Sequence, residues 1–187
     1  LDTNAAVLRA FANAYLYTGE EAYRDPADGA VRFLTDDLWT GMGVAGSLGP
    51  GTGRAYYARS AADRADLDGS REDLTVYAGG NALAADALLA FHAYTDDERA
   101  GEYAERILDV LRRDLVDAET GAVTRYRAGD DAGEADLLED AARVVGAFVR
   151  AESVLGAGAE LARTVADRAI ERLHVEGAFV DGPREGE

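Results

Sequence analysis

NALAADALLAFHAYTDDERAGEYAERILDVLRRDLVDAETGAV, residues 81–123, spells out an α-helical hairpin. Leu83, Leu88, Leu89, Phe91 and Tyr94 recur at helical spacing over 81–95, and Tyr103, Ile107, Leu108, Leu111 and Leu115 do so over 97–115. Between them, Thr95-Asp96-Asp97-Glu98 places capping oxygens and negative charge where the second helix exposes its unpaired N–H groups. Gly121 marks the turn that closes the unit.

The same phrase occurs on either side. An earlier copy runs from Asn4-Ala5 to the glycines after Trp39, and a later one from Asp140-Ala141 to Gly177-Ala178-Phe179. In the earlier copy, Ala6, Leu8, Phe11, Ala12, Tyr15 and Leu16 form one apolar stripe, and Thr18-Gly19 breaks the helix. A second helix, interrupted or restarted at Asp25-Pro26 where proline suits a first turn, carries Val31, Phe33, Leu34 and Leu38 inward. The later copy repeats the design with Leu138, Val144, Val145, Phe148 and Leu155, then Leu161, Val165, Ile170 and Leu173.

The expectation is one all-α domain over residues 1–187, with hairpins at about 2–40, 80–124 and 136–180 and an ordered insertion at about 41–79. Short strands are expected near Tyr56 and Val76, with a turn at Asp68-Gly69. Hairpins of this kind stack on their neighbours, and a closed ring of six needs roughly 330 residues. Three hairpins are an arc of an (α/α)6 toroid. Its apolar flanks await either the remainder of a longer parent chain, which the start at Leu1 suggests, or self-association.

Composition narrows the chemistry. The net charge is −17, and every one of the 19 basic residues is arginine, a bias like that of extreme halophiles. Such a field repels phosphate backbones and anionic membranes, so nucleic acid is not an expected partner. No apolar run approaches the roughly 20 residues of a bilayer span, and a cytoplasmic location follows as an inference from composition. Without cysteine or lysine there is no thiolate, disulfide, phosphate-loop lysine or Schiff base. With His92 and His174 alone, no three-histidine centre can form, so neither metal nor cofactor is implied. Gly41-Met42-Gly43-Val44-Ala45-Gly46 matches the spacing of a dinucleotide loop but follows a helix, which makes it a glycine-rich turn. Asp63, Asp66, Asp68, Asp130 and Asp131 fit no twelve-residue calcium loop and read as solvated surface.

Several segments resemble a known family, the thioredoxin-like proteins of the spermatogenesis-associated type, in which a thioredoxin-like head precedes a six-hairpin toroid. Leu1-Asp2-Thr3-Asn4-Ala5 is similar to that family's first inner-helix start, Thr75 to Ala82 to its tryptophan-asparagine-glycine segment, and Leu138-Glu139-Asp140-Ala141 to its leucine-glutamate-aspartate-tyrosine-alanine. Arg54-Ala55-Tyr56-Tyr57 falls where the family places a tyrosine-bearing insertion. The resemblance covers nearly the whole chain but only the middle of the toroid. Gly80 stands in place of the family's tryptophan, Asp2 in place of its tyrosine, and Ala142 near a usual aromatic. No redox activity carries over, since this sequence has no cysteine.

Asn4, Asn81 and Asp140, with Asp2 and Glu139 beside them, recur at the beginnings of inner helices and would meet at one toroid mouth. There they could bind sugar hydroxyls, or two of the acids Asp2, Glu139 and Asp140 could work as an acid–base pair; equally, Asn and Asp at helix starts serve as N-caps. His92, three turns after Asn81, is expected on the same face, and Tyr56, Tyr57 and Tyr77 are the aromatic candidates for a carbohydrate-like ligand. Two functions remain open: a structural or ligand-binding toroid segment without catalysis of its own, and part of a carbohydrate-active enzyme of glycosidase or epimerase type.

Overall fold

The protein is described by a computed structural model that covers residues 1–50, 59, 60, 63 and 70–183. Tyr56, Tyr57, Asp66, Asp68 and Gly69, with the strand and turn expected on them, lie outside the described residues.

Three antiparallel hairpins make two layers. The first pairs α1 (Asp2–Thr18) with α2 (Glu21–Arg32), the second α3 (Ala78–Thr95) with α4 (Glu98–Val110), and the third α5 (Leu138–Leu155) with α6 (Ala159–Leu173). In the inner layer α1 and α5 pack on either side of α3, while α2, α4 and α6 each back their own partner. Enclosed on three sides, α3 is alanine-rich because its neighbours come close. Ala78, Ala82, Ala84, Ala85 and Ala90 are fully buried, as are Leu88, Leu89 and Phe91, and each of those three large side chains contributes about 1.5–3 kcal/mol of burial.

Each inner helix ends alike. Gly19 (φ 70°), Asp96 (φ 58°) and Gly156 (φ 71°) adopt the left-handed conformation and return their amide to the carbonyl four residues earlier, at 2.7, 2.8 and 3.0 Å. Asp97 then caps α4 by accepting the Ala100 N–H at 2.7 Å, as its position after Thr95 predicts. The outer helices α2 and α4 both close on a wide turn, with Leu38 N–H donating to the Phe33 carbonyl and Val116 N–H to that of Leu111. Such a turn shifts the chain's exit towards the next inner helix. Contrary to the expected restart, α2 runs unbroken through Pro26.

The segments that lead back to the inner helices are partly stranded. β1 (Ser47–Pro50) pairs with β2 (Ser70–Asp73), and β3 (Val76–Tyr77) pairs with β4 (Tyr126–Ala128), which turns back through β5 (Asp131–Ala132). The strand expected at Val76 is therefore present, but its partner comes from the loop before α5. A last small hairpin joins β6 (His174–Val175) to β7 (Ala178–Phe179) through Glu176-Gly177, both with positive φ.

The outer edges of the arc stay apolar and open. Val7 and Tyr17 of α1 and, at the other end, Val149 of α5 and Ile170 of α6 are all exposed, Tyr17 at 85%. No described helix is long and apolar enough to cross a membrane.

Candidate functional site

Because α1, α4 and α5 cover three sides of α3, its fourth side, with half-buried Leu83 and Asp86, forms a stripe together with the more exposed matching sides of α1 and α5. At the start of the inner helices this stripe carries a charged cluster. Arg143 of α5 reaches across the first turn of α3 to Asp2 of α1, with Nη1 2.7 Å from Oδ2, and its other terminal nitrogen pairs with Glu139. Asp140 Oδ1 accepts the Gly79 N–H at 3.1 Å.

Two glycines make this crossing physically available. A side chain at Gly79 would collide with Asp140 Oδ1 and come within 3.3 Å of Arg143 Nη1, and one at Gly80 would lie 2.8 Å from Asp2 Oδ1 and 2.7 Å from Leu1 Cδ2. The absence of a side chain at Gly80 thus admits Leu1 and Asp2 to the cluster.

Burial pushes the Asp140 carboxyl above its ordinary pKa, against the opposing pull of the Gly79 N–H and of Arg125 and Arg143. A raised folded-state pKa means that the folded chain holds this proton more tightly than the unfolded one. The associated stability is present at low pH and is lost as pH rises through the window between the ordinary and the raised value. Asp140→Asn should flatten that part of the stability curve, measured by thermal melts at closely spaced pH; an unchanged slope would show that Asp140 titrates normally.

The other candidates are placed differently. Asn81 is not at an open mouth: it is fully buried as the fourth residue of α3, where its Oδ1 accepts Val44 N–H at 2.9 Å and its Nδ2 donates to the Val44 and Tyr77 carbonyls at 3.0 and 2.9 Å. It does not cap its own helix; it ties the glycine-rich turn 41–46 to α3. His92 also leaves the expected site, since eleven residues of rise put it about 16 Å along the helix from Asn81. Its Nδ1 lies 2.9 Å from the Asp97 carbonyl in the α3–α4 turn, and its ring lies against Gly101 in the first turn of α4. Tyr77 immediately precedes α3 and sets its ring edge-on to Tyr126 at 5.8 Å. Asn4 sits half-buried in the first turn of α1.

Residues without any motif complete the stripe. Asp86 of α3 pairs with Arg9 of α1 at 2.9 Å and with Arg150 of α5 at 3.0 Å. Asp2 and Arg9, Gly79 and Asp86, and Arg143 and Arg150 are each seven residues apart in equivalent helices, and that common register was the available signal. Away from the stripe, a cavity of about 380 Å³ lies among Met42, Leu74, Val76, Val110, Leu115 and Arg127. Among the described residues no three His, Asp or Glu side chains converge as metal ligands.

No protein-family model matches the chain, and no curated protein matches it significantly. Solved structures do. The cellobiose 2-epimerase of Bacillus thermoamylovorans superposes with a TM-score of 0.73 at 18% identity, over 92% of this chain and 44% of that one. The GH76A α-1,6-mannanase of Salegentibacter gives 0.70 at 21% identity, over 95% and 49%, and its inactive variant, carrying two replaced aspartates and α-1,6-mannotetrose, gives 0.69 at 20%, over 94% and 50%. The chain therefore has the fold of an arc of an (α/α)6 toroid and spans about half the length of the structures it matches.

Proposed function

We propose that the chain is a carbohydrate-binding segment of an (α/α)6 toroid, with Asp2, Glu139, Asp140 and Arg143 as its polar contacts. The carrying observation is the meeting of those four side chains, from two helices and across the glycines of a third, on the exposed stripe. A guanidinium flanked by carboxylates offers donors and acceptors side by side, as vicinal hydroxyls require. Sugar-active neighbours of the same fold support the reading, one of them holding a mannotetrose. The segments that resemble the thioredoxin-headed family, 1–5, 75–82 and 138–141, are the same ones that build this mouth, and Tyr56, Tyr57 and Tyr77 remain its proposed aromatic contacts. The proposed setting is a salt-rich cytoplasm, with the open flanks covered by the rest of a parent chain or by a second copy.

Calorimetric titration with α-1,6-mannotetrose and with cellobiose tests the proposal. Arg143→Ala should weaken whichever sugar binds by tenfold or more, about 1.4 kcal/mol. Equal affinity in variant and wild type would contradict it.

The raised pKa of Asp140 beside a second carboxylate favours a further reading, acid–base cleavage of a glycosidic bond with Asp140 as the acid. Asp140→Asn would then bind sugar but release no new reducing ends, whereas a wild type that binds without turnover leaves a binding segment alone.

A further inference from the structure

The exposed stripe carries two charged rungs, and their signs differ. On the first, Arg143 faces Asp2 and Glu139, with Asp140 alongside, so acids outnumber the arginine. On the second, Arg9 and Arg150 share Asp86, so arginines outnumber the acid, and this in a chain of net charge −17. Seven residues of helix separate the rungs on α1, α3 and α5 alike, a gap of about 10 Å.

What lies between the rungs is small and open. One turn past the first rung stand exposed Ala6, half-buried Leu83 and exposed Gly146, and a side chain added at Gly146 would meet nothing within 4 Å. The result is a saddle floored by Leu83 and closed at both ends by ion pairs.

The guanidiniums of the second rung are not exhausted by Asp86. Arg9 gives it Nη1 and Arg150 gives it Nε, while each guanidinium has five N–H donors. Among the described residues the remaining nitrogens of both have no partner, and the two side chains retain 25% and 28% of their exposure. They approach Asp86 from opposite sides and could receive a second carboxylate in the charge-assisted geometry that arginine favours.

We infer that this saddle selects an acidic sugar, a uronate whose ring lies over Leu83, whose carboxylate meets Arg9 and Arg150, and whose hydroxyls meet the rung of Asp2, Arg143 and Glu139. The inference rests on the carbohydrate reading above and specifies its ligand class. Neutral sugars lack the group that the second rung is charged to receive.

Calorimetry in one buffer, with methyl β-D-glucuronide, its uncharged glucuronamide analogue and methyl β-D-glucoside, separates the two claims. The expected result is glucuronide binding at least tenfold tighter than either neutral compound, with the ratio falling to about one in the Arg9→Gln, Arg150→Gln double variant. Should that variant fail to fold, the comparison of glucuronide with glucuronamide on the wild type still tests the charge contact. Glucuronide equal to or weaker than a glucoside that does bind overturns the uronate inference and leaves the carbohydrate reading standing. A preference that survives the double variant also overturns it. No binding of any of the three compounds, or of mannotetrose and cellobiose, overturns both.

Discussion

Asn81→Ala is expected to destabilise the chain by about 3 kcal/mol or more, since each buried polar group left unsatisfied costs roughly 1–3 kcal/mol. The variant strands Val44 N–H and the Val44 carbonyl, both served by one fully buried amide, and removes the bond to the Tyr77 carbonyl, which as N-cap also accepts the first backbone bond of α3. Asn81→Asp separates hydrogen bonding from size. Ionised aspartate can still accept from Val44 N–H, but it faces two carbonyls to which it cannot donate, and its charge is buried. Its folded-state pKa would be raised, so the variant should regain stability as pH falls and the protonated carboxyl becomes a donor. Chemical denaturation at neutral and acidic pH checks both. A loss below about 1 kcal/mol for Asn81→Ala, the size of one ordinary hydrogen bond, would mean that Asn81 does not hold the 41–46 turn to α3.

Salt should act on the whole molecule. With 36 acidic residues against 19 arginines, the folded surface repels itself, and concentrated salt shortens the reach of that repulsion to a few ångströms. The melting temperature is expected to rise by on the order of 10 °C between 0.1 and 2 M potassium chloride, an increment of a few kcal/mol for a domain of this size. The salt loss from surface pairs such as Arg113–Asp114 is smaller, because exposed ion pairs contribute little. A melting temperature indifferent to salt would remove the basis for a halophilic setting.

The hairpins were legible because helical periodicity and helix stops are local. Leu88, Leu89 and Phe91 repeat on the buried side of α3, and Thr18-Gly19, Asp96-Asp97 and Gly156 stop the inner helices where the sequence marks them. The helix beginnings were less legible. Asn81 and Asp140 look like caps in sequence, but α3 and α5 begin three and two residues earlier, after Tyr77 and Leu137: Leu138 N–H donates to the Asp181 carbonyl at the start of α5, and the β3–β4 pairing fixes the entry to α3. That pairing joins residues about 50 apart in the chain, and no local pattern encodes it. His92 illustrates the same limit: periodicity gave its helix, but its hydrogen bond to Asp97 is set by the turn.

Of the mouth acids, Asp2, Glu139 and Asp140 were visible through their repeat positions, whereas the arginines were not. A charged residue on an amphipathic helix reads as solvent-facing whether it points to bulk water or across a neighbour. Only the packing of α1 and α5 against α3 separates Arg9, Arg143 and Arg150 from the other arginines. The glycines at 79 and 80 were likewise visible as helix-weakening residues, with no sign of what they admit.

Amide chemical-shift mapping while sugar is added to the isotope-labelled chain tests most directly where a ligand sits. Binding on the inner-helix stripe predicts the largest shifts at Gly79, Leu83, Arg143 and Gly146, with Arg9 and Arg150 joining them for a glucuronide. Shifts gathered instead around Met42, Leu74 and Arg127, or no shifts at saturating sugar, would contradict the account.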